Sequence, residues 1–209
     1  MTRIVIQGDS VTDAGRMKDE RNQLGRGYPM LVAAQLGLEA PGKYEVLNRG
    51  VGGDRITGVY DRVKKDITNL EPDVLSILIG VNDVWHELAP SHCGTDTPKF
   101  TRVYRMLLEE VLAAVPQVKI MLFAPYVLRG EKTEKYYDAF RAGIEEKETA
   151  VRQLAGEFRL PFYTLQDKFD AAAKLAPNEY WVRDGVHPTL NGQMLIASEW
   201  LKAFRELSI

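Results

Sequence analysis

Five serines occur in the chain, and their settings separate what each could do. Ser76 falls inside an apolar run, Ser198 inside a helical pattern, and Ser208 lies at the end of the chain. Of the other two, Ser10 and Ser91, only Ser10 follows directly on an apolar run, Ile4-Val5-Ile6-Gln7, through Gly8 and Asp9. A serine at such a strand end can attack a carbonyl if a base takes its proton. Alone, Gly8-Asp9-Ser10 reads equally as a helix cap or a turn. Three histidines are candidates for the base: His86, His92 and His187. His187 stands in Asp184-Gly185-Val186-His187-Pro188. An aspartate three residues before a histidine in a compact turn can fix the ring tautomer and stabilise the imidazolium. The same turn also reads as an aspartate capping local amides beside an idle histidine.

Acyl transfer needs donors for the oxyanion as well. Gly52-Gly53 offers a backbone amide that no Cβ shields, and Asn82, in Gly80-Val81-Asn82-Asp83, offers a side-chain amide. Each is also ordinary turn chemistry. His92 and Cys93 are neighbours, and adjacent residues rarely face one another. Asp9, Asp184 and His187 could be imagined around a metal, as in a phosphoesterase, but no second His–carboxylate cluster accompanies them, so no metal or other cofactor is expected. No Gly-x-Ser-x-Gly occurs, which excludes an α/β-hydrolase elbow.

The elements that must position these residues follow from the apolar periodicity. Strands are predicted over 3–7, 44–48, 74–79, 118–123 and 161–165. The third reads Val-Leu-Ser-Ile-Leu-Ile with almost no alternation, as a strand covered on both faces does. Helices are predicted over 28–36, from about 55 to 70, 100–115, 132–158, 167–175 and from the 181–188 loop to about 207. A long polar stretch runs from Asp83 to Lys99. Alternating strands and helices give an α/β fold: a three-layer α/β/α sandwich on a five-stranded, parallel, doubly wound, flavodoxin-like sheet. In such sheets, sites form at the carboxyl ends of strands, where Gly8–Ser10, Asn48–Asp54 and Gly80–Asp83 all fall.

Bulk properties narrow the partners. At 209 residues the chain is most economically one domain. A net charge of −2 leaves no footprint for nucleic acid or an anionic membrane. A single cysteine, Cys93, forbids an intrachain disulfide. No basic-then-apolar leader opens the chain, and no window approaches the ~20 apolar residues of a membrane span, so a cytoplasmic protein is expected.

Four segments, taken in order, resemble the blocks of the SGNH hydrolases, also called GDSL esterases. They are Gly8-Asp9-Ser10, Asn48-Arg49-Gly50-Val51-Gly52-Gly53-Asp54, Gly80-Val81-Asn82-Asp83 and Asp184-x-x-His187-Pro188. The resemblance implies Ser10 as nucleophile, His187 as base and Asp184 as its orienter. It implies the amides of Ser10 and Gly53 and the side chain of Asn82 as oxyanion donors. Val11 stands where the family name has Leu, and Gly52 where many members have Ser. The segments 8–16 and 80–85 are similar to the branch of bacterial acetylxylan and other carbohydrate acetylesterases. That implies a saccharide ester substrate with a short acyl group, with Trp85 and Trp181 as faces for a sugar ring or, equally, as plugs under loops. Asp9 is expected to brace the turn that presents Ser10, near enough to substrate to count among its contacts. Family members are often homo-oligomers. The other readings are an SGNH lysophospholipase, thioesterase or arylesterase, and a non-catalytic carbohydrate-binding or interaction domain.

Overall fold

The computed structural model of the protein describes residues 1–17 and 24–207, so Ser208 lies outside the described residues. Five parallel strands form one sheet in the order β2-β1-β3-β4-β5. They are β1 (Thr2–Gly8), β2 (Tyr44–Asn48), β3 (Val74–Leu78), β4 (Lys119–Phe123) and β5 (Phe162–Tyr163). The strands are apolar on both faces because helices cover both. Ile4, Ile6, Val74, Leu78, Met121 and Phe123 join one buried cluster, and Val5, Leu47, Leu75, Ile77, Ile120 and Leu122 join the other. This is the period of two that a strand imposes, filled with apolar side chains on each side. The fold is a three-layer α/β/α sandwich with the flavodoxin-like strand order.

Ten α-helices are described: α1 (Ser10–Asp13), α2 (Tyr28–Glu39), α3 (Ile56–Asp61), α4 (Val63–Asp66), α5 (Val81–Leu88), α6 (Thr97–Ala114), α7 (Tyr137–Phe158), α8 (Gln166–Ala172), α9 (Asn178–Trp181) and α10 (Leu190–Glu206). Helix α10 packs on α2 over the first cluster. There the Trp200 indole N–H donates to Ser76 Oγ at 2.9 Å, which satisfies a buried hydroxyl in the middle of β3. Among the described residues no helix is long and apolar enough to cross a membrane.

The structure departs from the periodicity in five places. The helix expected over 55–70 breaks at Arg62, whose guanidinium pairs with Asp54 and Asp66 and whose N–H turns back to Val59 O. Helix α6 starts at Thr97 rather than 100, because Asp96 Oδ1 accepts the Lys99 N–H at 2.7 Å and caps it. Residues 132–136 do not join α7. They are held away by Lys132 N to Asp184 O (3.1 Å) and Leu128 N to Gly185 O (2.9 Å), bonds that tie this segment to the 184–187 turn. Strand β5 is two residues long instead of five, since only Leu122 and Phe123 of β4 pair with it. The expected polar stretch after β3 also turns out to open with a helix, α5, which places Asn82 and Asp83 in a first turn.

Candidate active site

The carboxyl ends of β1, β2 and β3 lie side by side, with Ile6 opposite Asn48 and Gly8 opposite Leu78. At the end of β1 the backbone turns sharply into α1. A Cβ on Gly8 would lie 2.3 Å from Thr12 Oγ1 and 2.5 Å from Leu78 O, so only glycine permits the turn. Asp9 is the N-cap, its Oδ1 accepting the Val11 N–H at 2.9 Å. Ser10 is therefore the first helical residue. Its own N–H has no partner among the described residues, and its Oγ lies 2.9 Å from His187 Nε2.

Asp9 is buried, 2% exposed, and its carboxyl caps the first turn of α1. Burial pushes its carboxyl up from 3.8 to about 7, against the pull of the Val11 amide and of His187. A folded value above the unfolded one stabilises the fold fully at low pH and is lost as pH rises through about 7. Asp9→Asn keeps an oxygen for the Val11 amide but cannot ionise. Melting temperatures of the two proteins between about pH 5 and pH 9 should diverge, the native chain losing more with rising pH. A gap that stays constant across that range would show that Asp9 does not titrate there.

The second half of the site is the turn after α9. Asp184 Oδ1 accepts the N–H groups of Val186 (3.1 Å) and His187 (2.9 Å), and its Oδ2 lies 2.8 Å from His187 Nδ1. Lys132 Nζ stands 3.4 Å from the same oxygen. Burial raises the Asp184 carboxyl, but the bonds from the His187 ring and the two amides outweigh it and hold the group well below the usual carboxylate range. An ionised Asp184 only accepts, so His187 Nδ1 carries the proton and Nε2 is left to accept from Ser10 Oγ–H. Gly185, at φ +102°, makes the turn possible; a Cβ there would lie 2.2 Å from Thr133 Oγ1. Tyr126 Oη donates to Val186 O at 2.9 Å and fixes the turn from beneath.

The loop after β2 is zipped onto the end of β1 by Arg49 N to Ile6 O (2.8 Å) and Val51 N to Gly8 O (3.0 Å). This brings Gly52 against the Ser10 side chain. The two glycines differ. The Gly52 amide donates to Asp13 Oδ2 at 2.8 Å, whereas the Gly53 amide has no partner among the described residues. Gly53 sits at φ +83°, a left-handed conformation that favours glycine. Asn82 Nδ2 donates one hydrogen to Asp54 O at 3.0 Å, so the side-chain amide is anchored next to Gly53 with a second hydrogen to give.

Ser10 and His187 border an open cavity of about 500 Å³, with Ala14, Leu190 and Gln193 in its walls. Trp85 is not among the residues lining the cavity; it packs partly buried against the core, with its ring 5.9 Å from the His187 ring. Trp181 does not line this cavity either; it packs against the core, with its indole N–H buried and without a partner among the described residues. Among the described residues no group of three or more His, Cys, Asp or Glu converges as a metal site requires.

Several residues that build the site carried no local signal. Asp13 orients Gly52, and its N–H returns to Asp9 O at 2.8 Å. Asn48 spans the gap between loops, its Nδ2 donating to Thr12 O (2.7 Å) and Leu24 O (3.0 Å) and its Oδ1 accepting from Gly50 N (2.9 Å). Gln193 of α10 accepts the Tyr28 N–H at 2.7 Å, and Arg26 and Arg183 face the cavity. Only Asp13, one helical turn after Ser10, could have been singled out from spacing.

Comparison with known proteins matches this geometry to a family. Residues 6–195 match the GDSL-like Lipase/Acylhydrolase family. An acetylxylan esterase of Geobacillus stearothermophilus is 29% identical over 211 residues, 96% of this chain and 92% of that protein. The crystal structure of Axe2, an acetylxylan esterase from Geobacillus stearothermophilus, superposes with a TM-score of 0.85 at 27% identity, covering 96% of this chain and 93% of the other. A protein of Parabacteroides merdae described as a GDSL-like lipase superposes with a TM-score of 0.88 at 38% identity, covering 97% and 94%. Its share of the family match, the parallel sheet and these relatives together make the chain a member of the GDSL-like lipase and acylhydrolase family and a carboxylic ester hydrolase.

Proposed function

We propose that the protein removes short acyl groups, above all acetyl, from a carbohydrate through a Ser10–His187–Asp184 triad and an acyl-enzyme. The observation that carries this is the hydrogen-bonded chain from Ser10 Oγ through the His187 ring to Asp184, at the edge of a cavity far larger than an acetyl group. Ser10 Oγ attacks the ester carbonyl while His187 Nε2 takes its proton. The oxyanion is held by the Ser10 and Gly53 amides and by Asn82. The imidazolium, steadied by Asp184, protonates the leaving alcohol, and water repeats the sequence on the acyl-serine. Preorganised donors matter because charge that develops in a partly dry site is stabilised without reorganisation.

The acetyl and saccharide preferences rest on the acetylxylan esterase relatives, with Trp85, whose ring lies 5.9 Å from that of His187, as the aromatic beside the triad. Axe2 variants described as catalytic mutants replace a serine, a histidine and an aspartate, and another replaces the tryptophan directly before that aspartate. Here Arg183 precedes Asp184. A panel of p-nitrophenyl esters from acetate to octanoate, run with acetylated sugars, tests the reading. Acetate should exceed octanoate at least tenfold in kcat/KM, about 1.4 kcal/mol of discrimination against chain length. Equal turnover, or a preference for octanoate, would point instead to a lysophospholipase or arylesterase of the same family.

A further inference from the structure

The cavity beside Ser10 is uneven in charge. Arg26 and Arg183 both line it, and among the described residues no aspartate or glutamate does. Among the described residues neither guanidinium has an ion pair or hydrogen bond, as is also true of Arg102 and Arg159, whereas Arg3, Arg62, Arg105, Arg129, Arg141, Arg152 and Arg205 each hold a carboxylate. This happens in a chain with 27 basic and 29 acidic side chains, where a free arginine pair does not follow from excess positive charge.

Both arginines are built into the catalytic segments rather than placed at random on the surface. The Arg26 N–H donates to Ala14 O at 3.1 Å, and Ala14 ends the helix that Ser10 begins. Its Nη2 reaches to 3.6 Å from the place a Cβ on Gly15 would occupy, so the missing side chain leaves the guanidinium open to the cavity. The Arg183 N–H donates to His187 O at 2.8 Å, inside the turn that orients the base. Two guanidinium forks line one cavity, with no acid among its described lining residues, and so offer donors for an oxyanion seated there. Such forks match carboxylate and phosphate oxygens in geometry and charge.

Resting on the acetyl-ester reading, we infer that the cavity receives the alcohol part of an acetylated saccharide bearing an oxyanion, a carboxylate or a phosphate, which Arg26 and Arg183 hold. The acetyl group is too small to fill about 500 Å³, so the charge belongs to the sugar and not to the acyl chain. The subsite acts on binding and orientation, and leaves the bond-making steps to Ser10 and His187.

The matched test pair is an acetylated methyl glucuronoside as its free acid and as its neutral methyl ester. The acid should exceed the ester about tenfold in kcat/KM at low salt, a margin that shrinks in about 0.5 M NaCl as screening sets in. Arg26→Ala/Arg183→Ala should bring the acid-to-ester ratio to about one, while the double lysine variant keeps part of the preference. A ratio near one in the native enzyme, or a preference that survives in the double alanine variant, overturns the inference. If neither sugar is cleaved although p-nitrophenyl acetate is, the saccharide reading fails, and the anion subsite is then decided by competition against p-nitrophenyl acetate. Glucuronate or glucose 6-phosphate inhibiting about tenfold more tightly than glucose would sustain the subsite, and the stronger of the two tells carboxylate from phosphate. Equal inhibition by all three would overturn it.

Discussion

Ser10→Ala is expected to lower kcat by about 10⁴–10⁶-fold, by the scale of nucleophile loss in serine hydrolases, with the fold intact. The size of the loss follows from what Ser10 alone supplies. Its Oγ is the hydrogen-bond partner of His187 Nε2 among the described residues, at 2.9 Å. The fold survives because the helix start depends on the neighbouring Asp9, whose carboxylate caps Val11, and on Gly8, which makes the turn. The oxyanion donors stay, including the Ser10 backbone amide, so some acceleration over water should persist. Adding His187→Ala to this variant should cost little more, because nucleophile and base act as one unit. Mass spectrometry after a sulfonyl fluoride should find one adduct, on Ser10, in the native protein and none in the variant. Turnover within tenfold of the native enzyme would remove Ser10 from the mechanism.

Asp184→Asn should cost about 10³–10⁴ in kcat through the tautomer of His187 rather than through lost packing. Asp184 Oδ1 accepts two amide hydrogens, from Val186 and His187, and asparagine can do this only with its oxygen. The NH₂ group is then forced toward His187 Nδ1, where Oδ2 now sits at 2.8 Å. Nδ1 must accept, so the ring proton moves to Nε2 and points at Ser10 Oγ. A histidine in that tautomer cannot take the serine proton. The reverse amide orientation would set an NH₂ against two N–H groups and leave buried donors unsatisfied. Lys132 also loses its partner at 3.4 Å, an exposed contact whose loss adds little. The ionised carboxylate holds its stabilising bonds above its usual range and loses them only in strong acid, so the native rate should not fall with Asp184 titration near neutrality. A rate for Asp184→Asn within tenfold of native would mean that His187 is oriented by something else.

The apolar runs carried the architecture. The pattern of Ile4-Val5-Ile6, Val74–Leu78 and the run before Ala124 was enough for a parallel sheet, since only strands covered on both faces read as continuous apolar segments. The helix boundaries were less legible. Capping by Asp96, the ion pairs of Arg62 and the bonds between residues 128–132 and the 184–185 turn are made by side chains and distant backbone, which periodicity does not register.

The site divides in the same way. Gly8-Asp9-Ser10, Gly52-Gly53, Asn82 and Asp184-x-x-His187 could be named from the sequence because each is short and its residue types suit a chemical task. Their meeting depends on the strand order β2-β1-β3, which puts three loop segments at one edge, and on the docking of the 184–187 turn by Tyr126 and Thr133. The sequence by itself determined which residue types were available for acyl transfer and the sheet that would carry them. Only the folded chain showed that the Gly52 amide is taken by Asp13, that Trp85 lies beside the His187 ring, and that Arg26 and Arg183, 157 positions apart, line one cavity. Hydrogen-bond competition and side-chain direction are settled by neighbours far along the chain, and no local pattern encodes them.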